Sequence, residues 1–196
     1  MNVRRVVTGH DESGKAVVVS DEQLVSKSPD SGEKWSVWAA DAPVLFPDGG
    51  QQPPFGGPLL PKPGGFHVVV FTLPPNFDPD APFADKDPAS MAAIVRKQMV
   101  AIRDTHPVVE DPNPPGSYGA IRGASGMHAT SSIDCLMQVS GESVLVLEDT
   151  EVTLHAGDWL IVNGVMHSFR NDLDREAVLI GVVYGVNHEG APLRRH

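Results

Sequence analysis

Two short runs of β-branched and apolar residues, Arg4 to Thr8 and Lys15 to Ser20, flank the turn sequence Gly-His-Asp-Glu-Ser-Gly and predict a hairpin. Trp35, Val37 and Trp38 open a further short strand. Phe66 to Leu73 is an almost unbroken apolar run, closed by Pro74-Pro75, and predicts a well-buried strand. Between Gly141 and Gly157 apolar and polar residues alternate, the period of short antiparallel strands with one face covered. Trp159 to Val162 follows as another apolar strand. Asn163-Gly164 then marks a tight turn, and a new strand carries His167 and Phe169. The period of 3.6 is met in one place. Asp87-Pro88 reads as a helix cap with proline in the first turn, and Met91, Ile94, Val95, Met99 and Ile102 form one apolar stripe up to His106-Pro107.

This patterning divides the chain into an N-terminal β arm over 1–42, a Pro/Gly-rich loop over 43–65, a β-barrel or sandwich over 66–187 with a helical insertion at about 76–117, and a tail over 188–196. A chain of 196 residues suits one domain and buries a real core. With 19 glycines and 18 prolines it is rich in turns. The net charge of −10, with no basic stripe, argues against a nucleic-acid partner, because binding the phosphate backbone needs concentrated positive charge. The single cysteine, Cys135, forms no internal disulfide and is expected to face a packed layer. No apolar run approaches the length of a membrane helix or a signal peptide, so we expect a cytoplasmic protein with no membrane partner. The glycines of the 43–65 loop are not followed by a lysine-bearing helix and make no phosphate cradle, and no serine lies in a nucleophile-elbow context.

The chemistry gathers in two stretches, Gly126 to Gly141 and Gly157 to Asn171. His128 and Thr130 are two apart and share a strand face, and Asp134 has the same parity. An antiparallel barrel wound through these strands brings His128, Asp134 and His167 into its mouth. At these residues the sequence resembles the cupin superfamily. His128 matches the first histidine of that family's first motif, Asp134 takes the place of its glutamate and Gly141 that of its closing glycine; Gly157, Asp158, Gly164, His167 and Asn171 match the second motif. Thr130 stands where the family has a second histidine, and Val162 where it has proline. The resemblance implies an all-β fold, a cupin-type antiparallel barrel or jelly roll, here with an N-terminal arm and one helical insertion. It also implies a homodimer and a bound divalent metal.

Two histidines and one carboxylate suit Fe, Mn, Zn or Ni and leave positions open for a small-molecule substrate, so His128, Asp134 and His167 are the expected metal ligands. Thr130 is expected to hydrogen-bond a water or substrate. Arg122 is a donor for a substrate carboxylate and Tyr118 a proton donor. His67 is a substitute for the missing histidine. The function expected is a metal-dependent enzyme acting on a small oxygenated organic molecule, through dioxygenase, decarboxylase, isomerase or lyase chemistry. Two alternatives stand beside it: a metal-free enzyme using histidine for proton transfer, with Tyr118 or Tyr184 as donor, and a non-catalytic small-molecule binding barrel.

Overall fold

A computed structural model describes residues 1–26, 32–46, 48–55, 60–81, 119–121 (as backbone) and 126–187. The helix expected over 89–103 lies outside these residues. What is described is all β. Strands β1 (Val3–His10) and β2 (Ala16–Leu24) pair as the expected hairpin. Next come β3 (Lys34–Ala40) and β4 (Phe66–Leu73), the latter with the bounds of the apolar run. Strands β5 (Gly119–Ile121) and β6 (His128–Thr130) precede β7 (Ser132–Ser140) and β8 (Glu142–Val146). The remaining strands are β9 (Glu151–His155), β10 (Trp159–Asn163), β11 (Ser168–Arg170) and β12 (Ala177–Gly185).

One five-stranded sheet has the order β10-β7-β12-β4-β3, and a three-stranded sheet has the order β11-β8-β9. All pairings are antiparallel. The two sheets face each other across a core of Leu73, Ala177 and Leu179, with Phe71, Phe77 and Phe169 packed on it. Directly paired residues share a face of the sheet. Phe71 and Leu179 are paired, so the row Lys34, Phe71, Leu179, Gln138 looks inward, as does Ala39, His67, Val183, Asp134, Val162.

The outer face is covered by the hairpin on one half only. Val3 and Leu24 pack on Trp35, Val70 and Val178, and the Arg5 guanidinium lies 5.5 Å from the Trp38 ring centre. The hairpin thus forms a sheet of its own and does not extend the main one, while β3, grouped by its sequence with the N-terminal arm, is an edge strand of the barrel. The other half of that face carries Trp159, Ile161, Val182 and Tyr184 in the open. Cys135 sits there too, half-buried between Ile161 and Val182; its face is the one expected, but no layer of the described strands covers it. No helix among the described residues is long and apolar enough to cross a membrane.

Two buried amides fix the corners. Gln138 donates to the carbonyls of Ser140 and Val178 and accepts from the Ser143 hydroxyl, which holds β7 through the irregularity between Val178 and Leu179. Asn171 donates to the carbonyls of Leu73, Pro74 and Arg175 and accepts from the Leu173 amide. It joins the end of β4 to the turn before β12, so this motif residue has an architectural role. Gly141 turns between β7 and β8 with φ at +68°, and a β-carbon there would meet the Glu176 carbonyl at 2.6 Å.

Replacing Asn171 with Ala strands buried carbonyls without donors and should cost on the order of 3 kcal/mol. Urea denaturation checks it; a midpoint equal to that of the native chain would show that the corner is held by other contacts.

Candidate functional site

The site is built by a pairing of main chains. His128 and His167 form an isolated antiparallel bridge, exchanging amide-to-carbonyl hydrogen bonds of 2.8 and 2.9 Å. Residues opposite each other in such a bridge point the same way, and the two imidazoles stand with ring centres 4.5 Å apart. Phe169 closes one side of His167 edge-on at 5.8 Å and meets Phe71 of the facing sheet at 6.1 Å. The ring pair therefore looks into the space between the sheets. This arrangement, two facing antiparallel sheets with both motif histidines bridged at the interior, decides the architecture.

The chain has the cupin fold.

In this barrel the tautomers of both histidines follow from their partners. His128 Nδ1 lies 3.0 Å from the Gly126 carbonyl and His167 Nδ1 lies 2.9 Å from the Val165 carbonyl. A carbonyl only accepts, so each Nδ1 carries the proton and each Nε2 offers its lone pair. Burial also disfavours the charged form. It pushes the His128 imidazolium down to about 4, with the neighbouring charge of His167 acting in the same sense, and holds His167 low as well. Neutral imidazoles with a fixed Nδ1 proton and a free Nε2 are what a divalent transition-metal ion requires of histidine ligands, so this pair fits as two of them.

Asp134 is on the inner face but is not gathered with the histidines. Among the described residues no three His, Cys, Asp or Glu side chains are close enough together to hold a metal ion. The Ser132 hydroxyl donates to the Asp134 carboxylate at 2.7 Å, and Thr130 lies 2.7 Å from the same hydroxyl oxygen. The Ser132 hydrogen is committed to the ionised carboxylate, so Thr130 is the donor in the second bond. Aspartate is one methylene shorter than glutamate, and its reach ends at Ser132. Burial raises the Asp134 carboxyl, against the opposing pull of the Ser132 hydrogen bond and of His128. Thr130, expected at a water or substrate, instead begins this relay. The signal for it lay in the sequence, since Thr130, Ser132 and Asp134 share one parity.

Other expected residues separate. Tyr118 and Arg122 lie outside the described residues. Tyr184 is exposed on the outer face, away from the histidines. His67 is inward but buried, with Nε2 2.8 Å from the Ser36 hydroxyl and its ring 4.8 Å from that of Phe55, and Val183 separates it from Asp134 across the sheet. It is a core histidine. His155 is exposed beside Glu142. The residue that the sequence did not single out is Lys34. It is paired with Phe71 and so points inward, it is half-buried, and burial pushes its pKa down.

No protein-family model matches this chain, and no curated protein matches it in sequence. Solved structures are similar in fold. The cupin domain of Cnp3 from Schizosaccharomyces pombe is 10% identical, with a TM-score of 0.43, and the alignment covers 93% of this chain and 87% of that one. The polyketide cyclase RemF from Streptomyces resistomycificus is 12% identical, with a TM-score of 0.40, over 82% of this chain and 72% of that one. A cupin-superfamily sugar phosphate isomerase from Silicibacter pomeroyi is 16% identical, with a TM-score of 0.33, over 61% of this chain and 50% of that one.

The lowered histidines make metal-stripped protein sensitive to acid. Unfolded, His128 takes a proton near 6.5; folded, it resists until about 4. Its contribution is complete above 6.5 and is lost as pH falls toward 4, on the order of 3 kcal/mol. His167 acts in the same direction, and Asp134, whose carboxyl is raised, offsets part of the loss. Denaturant midpoints of metal-stripped protein should therefore fall steeply between pH 7 and pH 4.5, and less so in His128→Gln. Equal slopes in the two proteins would contradict the assignment.

Proposed function

We propose that this barrel is a cytoplasmic, metal-dependent enzyme acting on a small oxygenated organic molecule. The observation that carries the reading is the pair of free Nε2 lone pairs at His128 and His167, each set by a backbone carbonyl on the opposite ring nitrogen. These two would hold the ion. A bound Fe, Mn, Zn or Ni supplies Lewis acidity toward a carbonyl or enolate oxygen, or a site for dioxygen in the case of iron.

The chain's own groups divide the remaining work. Phe71 and Phe169 exclude water from the ring pair and strengthen every charge interaction inside. Asp134, raised by burial, is the final proton acceptor: a proton lost from substrate carbon or oxygen passes to the Thr130 hydroxyl as Thr130 gives its own to Ser132 and Ser132 gives its own to the carboxylate. Dioxygenase, decarboxylase, isomerase and lyase chemistry all need these parts, and the fold alone does not choose among them.

A second reading is favoured by the absence of a third gathered donor among the described residues. In it His128 accepts the proton directly and no ion is held. Elemental analysis of protein purified without a chelating tag separates the two. The first reading expects bound divalent metal in the native chain and its loss in His167→Ala, with the fold retained. Metal-free native protein that still turns over a carbonyl substrate would establish the second.

We also propose that two copies pair through the uncovered outer half of the five-stranded sheet. Trp159, Ile161, Val182 and Tyr184 lie there, 66%, 51%, 39% and 46% exposed, on the same face whose other half the chain's own hairpin covers. A two-fold axis through this face would bury the patch against itself. Light scattering should give the mass of a dimer, and that of a monomer for the double variant Trp159→Asp, Ile161→Asp; a native monomer would overturn the proposal.

A further inference from the structure

Lys34 stands at the inner edge of the barrel with no counter-charge among the described residues. Its pairing with Phe71 aims it inward, and from Phe71 a continuous file of rings runs through Phe169 and His167 to His128, with steps of 6.1, 5.8 and 4.5 Å. The lysine is near enough for its charge to act on His128. Yet the amine makes no hydrogen bond and no ion pair among the described residues. Asp134, the carboxylate on the same inner face, is engaged by Ser132 instead.

Burial disfavours the charged form of an inward amine that has no counter-charge, and an anion bound beside it restores that form. An amine so placed, near enough to act on His128, is completed by an anionic ligand. The charge count narrows that ligand. One ammonium offers one positive charge; Asp134 already places a negative group near His128; and among the described residues no second cation stands with Lys34 to balance a dianion such as phosphate. A singly charged carboxylate satisfies all three conditions.

We propose that Lys34 anchors the substrate through a carboxylate, so that this cupin acts on small monocarboxylic acids whose reactive end faces His128 and His167. The inference rests on the functional reading above for what happens to the bound molecule, but not for its binding. The ion pair holds one end of the substrate at β3, and the ring file limits how far the other end reaches. Specificity against neutral analogues then comes from leaving the ammonium unpaired.

The test is titration calorimetry on metal-stripped protein with pyruvate, its neutral isostere pyruvamide, and inorganic phosphate. Native protein should bind pyruvate at least about tenfold more tightly than pyruvamide or phosphate, and Lys34→Met should abolish that preference. Ligand-free Lys34→Met should also melt no lower than the native chain, because it removes an unpaired charge from the interior, and this guards against reading misfolding as lost binding. Should Lys34→Met fail to fold, Lys34→Gln, which keeps polarity without charge, takes its place. Native protein that binds none of the three, prefers phosphate, or binds pyruvate as well after the substitution would overturn the proposal. Working without metal keeps the two ideas apart: metal binding with no Lys34-dependent carboxylate binding sinks this inference alone, and the converse result sinks the metal reading alone.

Discussion

The two main-chain hydrogen bonds between His128 and His167 are the constraint on which the site depends. They join segments almost forty residues apart, and because they act through the backbone they set both side chains on one face at once. The distance between the imidazoles is thus a property of strand pairing. Gly164, at the turn leading into the second segment, serves this pairing. Its φ is +62°, and a β-carbon there would stand 3.0 Å from the Thr130 carbonyl. The motif glycine is required by close approach of the two halves, and the histidines inherit their geometry from it.

Around that bridge the interior is electrostatically uneven. The imidazoles are kept neutral by burial, the carboxylate of Asp134 is engaged by a hydroxyl, and Lys34 has no counter-charge among the described residues. In a low-dielectric space such an arrangement amounts to a standing potential directed at a ligand. The protein as a whole is strongly acidic, with a net charge of −10, so Lys34 is a local exception to the field a small anion meets.

How far the sequence revealed all this depended on the kind of information each residue carries. Strand β4 was legible to the residue because an apolar run bounded by Gly65 and Pro74 has one reading. The convergence of His128 and His167 was legible through motif spacing. Lys34 was not, since in Gly-Glu-Lys-Trp a lysine before a strand resembles an ordinary solvated charge. Its direction is set by the register with Phe71, and pairing between distant strands leaves no local mark. The position of Asp134 was half legible: parity gave its face, whereas its capture by Ser132 depends on side-chain reach. The hairpin was recognised as an element, but its docking on Trp35 and Val70 was not, because which apolar face a hairpin covers is decided by the sheet it meets.

The strand order has a further consequence. Strand β12 lies between β7 and β4 in the five-stranded sheet and is the last described strand in the chain. During synthesis β3 and β4 can pair, and β7 can pair with β10, but the two half-sheets have no common neighbour until residues 177–185 leave the ribosome. Each half then carries an open edge of unpaired amides and carbonyls, β4 on one side and β7 on the other, the form in which strands are most exposed to the wrong partner. Native topology arrives by insertion of one strand into a gap between two others, and the loop closures it demands are long. For this chain the decisive folding event comes late, and synthesis interrupted before β12 leaves one chain with two open half-sheets, not a smaller barrel.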